Sequence, residues 1–131
     1  MTSVPEIDGA NAVVAWFGAW PRFHDHYLLC APESGCTTGE LRIHGWVTNW
    51  NAVDAGGYFL HDRHCVVTLE LARIESVELT ERTFPAIIGD LTFEREGSGW
   101  TISWDSSYGA AGAVRAQHVR ATLQPGAPTA A

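Results

Sequence analysis

The chain has 131 residues, 46% of them apolar and 18% charged, and carries a formal net charge of −7. That composition argues for one folded domain and against disorder, and at this length roughly two-thirds of the unfolded surface is buried on folding, so no disulfide or metal staple is required. All eight basic residues are arginine, and the acidic balance speaks against nucleic acid or an anionic membrane as partner, since both need clustered cations; a basic protein suits it better.

No apolar run is long enough to span a bilayer, and the first residues lack the basic-then-apolar order of a signal peptide, so a cytoplasmic address is expected. Residues 1–7 read as a loose leader. Asp8 or Asn11 can then cap a helix over residues 10–18, in which Ala10, Val13, Val14 and Phe17 fall at helical spacing and Gly18 is the natural stop. Pro21 has no backbone N–H and pushes Trp20 toward an extended conformation, so residues 18–26 form a hinge. Tyr27, Leu28, Leu29 and Cys30 begin the first strand, which turns over residues 32–39.

From there the period is two. Leu41, Ile43 and Val47 alternate with Arg42, His44 and Trp46, and residues 65–71, 77–79, 87–93, 100–104 and 114–123 follow as further strands. Gly97, Ser98 and Gly99 make a turn, and Gly109 and Gly112 mark a loop. Residues 48–62 predict the longest irregular segment, and residues 124–131 a frayed tail. Seven strands so closely spaced cannot be parallel, because parallel pairs need long crossovers. The expected fold is α+β and mostly β: an antiparallel sheet or flattened barrel of about seven strands with one N-terminal helix packed on it, in a single domain with an ordered body over about residues 8–124.

Cys65 lies within the alternation of Val67, Leu69 and Leu71 and reads as a buried thiol. Cys30 and Cys36 flank a turn and can face each other, although a reducing compartment disfavours their pairing. No Gly-x-Ser-x-Gly elbow and no phosphate-cradling glycine loop is present, and neither catalysis nor a cofactor is expected. Imidazoles at His24, His26, His61 and His64 offer an alternative reading, a small metal-binding or metal-dependent enzyme domain, because alternate strand residues such as His24 and His26 share a face. Arg42, His44, Trp46 and Trp50 form a second candidate site. On a sheet's outer face they would make a protein-binding patch; under a covering helix both tryptophans would be core. A structural homodimer through that face is a third option.

The run Trp16-Phe17-Gly18, Trp20-Pro21 and Phe23-His24-Asp25, followed by about a hundred residues of β pattern, resembles the immunity protein 50 family of bacterial polymorphic toxin systems. His26 is a departure, standing where that family often has a small residue before an acidic one. The resemblance implies an intracellular protein that binds a cognate toxin and neutralises it by occlusion. It also implies that Trp16, Phe17, Gly18, Trp20, Pro21, Phe23, His24 and Asp25 are the family's motif. Most of these read as anchors, a helix stop and a turn, while His24 and Asp25, polar beside a core, need partners or face the toxin.

Overall fold

The computed structural model describes residues 4–53, 55–57 and 59–128, apart from the side chains of 49–52 and 59–61. One helix, α1 (Ala10–Phe17), precedes six strands: β1 (Tyr27–Cys30), β2 (Thr38–Val53), β3 (Phe59–Leu79), β4 (Ala86–Glu96), β5 (Gly99–Tyr108) and β6 (Gly112–Pro125). They close into an antiparallel barrel in the order β1, β2, β3, β6, β5, β4, with β4 returning to β1. The expected class is thus the one observed. Six strands replace seven because residues 65–71 and 77–79 belong to one long strand. Within it Arg73 takes a left-handed φ of 53° and a bulge lies between Ile74 and Ser76, so the inward alternation of Val67, Leu69 and Leu71 breaks before Val77 resumes it.

The inward residues are those the two-residue period marks. Leu41 and Ile43 of β2, Val67 and Leu69 of β3, Ile102 of β5 and Val114 of β6 are fully buried. Trp104 joins them, its indole N–H donating to the Ala110 carbonyl at 3.0 Å. A two-residue turn at Gly97 and Ser98 joins β4 to β5, with Glu96 and Gly99 in register across it.

Segments expected to be irregular are more regular than their composition suggests. Residues 48–62 lie largely in β2 and β3, which pair at Thr48 with His61 and, beyond a register shift, at Val53 with Phe59. The last strand runs through Pro125, and the Gly126 N–H donates to the His64 carbonyl at 2.7 Å, so the frayed tail begins no earlier than that; residues 129–131 lie outside the described part. At the other end Pro5 is buried and Ile7 packs on the core, so the leader is docked from there on, while residues 1–3 lie outside the described part.

The helix starts on Gly9, not on Asp8 or Asn11, and has no side-chain cap. Gly9 is required because its φ is +84° and a Cβ there would lie 1.8 Å from the Ala121 carbonyl oxygen. Asp8 instead bridges to β6, its carbonyl accepting the Ala121 N–H at 2.7 Å. Gly18 closes the helix as expected, at φ 85° with its N–H on the Val14 carbonyl. Among the described residues no helix is long and apolar enough to cross a membrane.

Candidate partner-binding site

The hinge between α1 and β1 places the motif residues, and it divides them. Trp20 and Phe23 are buried at 4% and 1% exposure, meeting edge to face at 6.2 Å, and Trp20 packs the same way on Phe93 at 5.4 Å. Phe17 meets Phe23 at 6.1 Å. Trp16 is half-buried, its indole N–H donating to the Arg63 carbonyl at 2.9 Å while the Arg63 guanidinium lies 4.4 Å above the ring. Left-handed backbone at Phe23 (φ 58°) and Asp25 (φ 65°) turns the chain, and β4 holds it there. The Leu91 N–H donates to the Arg22 carbonyl, Asp25 N–H to Ile88, and Ile88 N–H back to His26.

That turn sends the polar end of the motif outward. His24 and Asp25 are exposed, with His24 Nδ1–H donating to the Gly89 carbonyl at 2.5 Å and Nε2 lying 3.4 Å from Asp25 Oδ2. Beside them Arg22 binds Asp90 through two hydrogen bonds of 2.9 and 3.0 Å, and Asp105 accepts the Asp90 N–H. The guanidinium holds the Asp90 carboxyl below the usual carboxylate range, and the carboxylate raises Arg22 in turn. Nothing in the sequence marks Arg22, Asp90 and Asp105, since only the fold brings β4 and β5 to the turn.

The second candidate group meets the first through His26. Trp46 is 7% exposed, so it is a core residue and not a contact on an open face. Its covering comes from the hinge: His26 lies 4.6 Å from its ring and Tyr27 5.3 Å, with His44 at 5.4 Å and His64 at 6.0 Å around it. Gly45 makes the space, since a Cβ there would stand 3.1 Å from Phe17 and 3.2 Å from His26. Arg42 is half-exposed beside Glu40 at 4.0 Å, and the side chain of Trp50 lies outside the described residues. The outer layer over Trp46 is therefore Tyr27, 38% exposed, with His44 and His64. In the sequence nothing sets Tyr27 apart, because it opens an ordinary strand.

Of the imidazoles in the metal reading, His24, His26 and His64 do not converge as a strand face would require. His24 is on the outside of a turn, His26 is buried against Trp46, and His64 Nδ1 is 2.9 Å from His44 Nε2; the side chain of His61 lies outside the described residues. Among those described, no three His, Cys, Asp or Glu side chains gather to hold a metal ion. The cysteines are free thiols, so Cys30 and Cys36 are not paired; Cys65 is fully buried, as its place in the alternation implies, and burial pushes its thiol up to about 11.

His44 carries a pH dependence. Burial, and secondarily His64, lower the pKa of His44, so below the ordinary histidine value of about 6.5 the unfolded chain takes up a proton that the folded chain resists. The stabilisation is complete above that value and is lost as pH falls toward the folded pKa. Thermal unfolding is expected to show a smaller drop between pH 7.5 and 5 for His44→Asn than for the parent; an equal drop would remove His44 as its source.

No protein-family model, curated protein or solved structure matches the chain.

Proposed function

We propose that this chain is an intracellular immunity-type protein that binds a cognate toxin and neutralises it by occlusion, without turnover. The observation that carries the reading is the division of the motif. Its aromatic part is spent on anchoring the hinge, with Trp20 and Phe23 buried, and its polar part, His24 and Asp25, is left on the surface. Tyr27 continues the same stretch, a partly exposed aromatic backed by Trp46, and rigidly backed aromatics are what interfaces use as anchors. A net charge of −7 suits a basic toxin by steering encounter.

This reading predicts a toxin gene beside the one that encodes this chain, and the test is co-expression with that gene's product, followed by size-exclusion chromatography. A complex of one chain each is expected. Tyr27→Ala should weaken it roughly 30-fold, the scale of an interface hot spot. Asp25→Asn keeps a residue that tolerates the left-handed backbone and should chiefly reduce the salt dependence of association. Separate elution of the two proteins, or a complex indifferent to both substitutions, would remove this surface as the toxin site.

A further inference from the structure

The far end of β3 carries a feature that the toxin reading does not use. β2 pairs with β3 only as far as Thr38 with Ala72, and the Ile74 N–H closes that side on the Thr37 carbonyl at 2.9 Å. Among the described residues, 76–79 then pair with β6 alone, from Ser76 with Arg115 to Leu79 with Gly112. The Thr80 N–H is spent on the Ala111 carbonyl at 2.8 Å. Alternation in an antiparallel ladder therefore turns the backbone N–H and C=O groups of Val77 and Leu79 away from β6, toward the side that β2 has left open. A groove of about 630 Å³ lies at this end of the strand, lined by Val77, Glu78, Leu79 and Thr80 of this end together with Ala113 of β6 and Ser34 of the turn between β1 and β2. Arg82 also lines it, donating to the Ala31 and Pro32 carbonyls at 3.2 and 3.3 Å.

We infer that this open edge of β3 is a strand-addition site for an extended segment of a partner protein in which apolar residues alternate with basic ones. Outward-turned N–H and C=O groups supply the sequence-independent pairing, and the groove takes the alternate side chains. The charge pattern selects the occupant. Glu75 is held by Arg115 and Gln117, whereas Glu78 and Glu81 are exposed with no arginine within 4.0 Å among the described residues. A second copy of this chain fits poorly: antiparallel pairing of the edge with itself about Glu78 sets Glu78 against Glu78 and Glu75 against Glu81, and like charges placed opposite one another repel. A basic strand meets those carboxylates favourably. The inference does not depend on a toxin binding at the hinge.

The experiment uses the full-length protein, labelled for amide NMR, and three capped pentapeptides: valine alternating with arginine, valine alternating with glutamate, and the arginine peptide N-methylated on alternate amides. With the arginine peptide at saturation, shifts centred on residues 76–80 and exchange slowed about tenfold at the Val77 and Leu79 amides are expected. The N-methylated peptide should bind roughly tenfold more weakly or not at all. Glu78→Arg, a change at an exposed position, should reverse the preference between the arginine and glutamate peptides. Equal binding of the N-methylated peptide would overturn the inference, as would shifts confined to another part of the barrel. Concentration-dependent protection of Val77 and Leu79 without peptide would assign the edge to a second copy and overturn it too.

Discussion

Phe23→Ala is expected to destabilise the protein by about 3–5 kcal/mol, the range for removing a buried aromatic ring from a packed core. The side chain is 1% exposed and is enclosed by Phe17, Trp20 and His26 at centroid distances of 6.0 to 6.2 Å. The backbone sharpens the test. A bulky residue at φ 58° holds a conformation that costs about 1–2 kcal/mol for any side chain beyond glycine. At an ordinary position Gly is worse than Ala by about 0.5–1 kcal/mol; here the order should invert, with Phe23→Gly at least as stable as Phe23→Ala. Urea unfolding followed by tryptophan fluorescence measures both. If Ala is the more stable by the usual margin, the hinge does not hold this residue in left-handed backbone.

The two glycines that frame α1 give the second large effect. Gly9 and Gly18 have nearly equal backbone angles, φ 84° and 85°, yet a Cβ at Gly18 meets nothing within 4 Å, while one at Gly9 stands 1.8 Å from the Ala121 carbonyl oxygen. Gly18→Ala should therefore cost only the left-handed penalty, about 1–2 kcal/mol. Gly9→Ala adds a clash with backbone that no rotamer can relieve, about another 1–3 kcal/mol for overpacking, for a total of roughly 2–5 kcal/mol. Part of that loss should appear as release of the helix from β6, through the hydrogen bond between Asp8 and Ala121 and the packing of Val13, which is fully buried. Thermal unfolding of the two variants side by side separates the terms. Equal losses would mean that α1 does not dock on β6 through this contact.

Punctuation and alternation made most of the fold legible. Gly18 stops the helix within one residue of where its spacing ends, and the run from Tyr27 to Cys30 forms β1 as read. What escaped the reading shares one cause, tertiary pairing that composition does not announce. Thr48, Asn49, Trp50 and Asn51 lack the period of two, yet the opposing strand carries them to Val53. The bulge near Ile74 splits one strand into two apparent ones. The site was legible in its residues more than in its geometry. Parity put Trp46 on the face of Arg42 and His44, but a register shift between Gly45 and Val47 and the packing of His26 bury it. Parity also put His24 and His26 together, and the left-handed Asp25 between them separates them. The motif's aromatic anchors lie where their chemistry implied, because a large ring beside a proline hinge has few other places to go.

The most direct test of a stoichiometric inhibitor is protection in cells. A strain expressing the toxin that the reading predicts to be encoded beside this chain is given the chain at graded levels, and growth is scored against the ratio of the two proteins. Occlusion without turnover is expected to restore growth only as the chain approaches equimolar amounts, and the threshold should rise for Tyr27→Ala while the fold persists. Full rescue at a small fraction of the toxin's abundance would point to catalysis, and no rescue at any ratio, with toxin and chain both present and folded, would contradict the immunity reading itself.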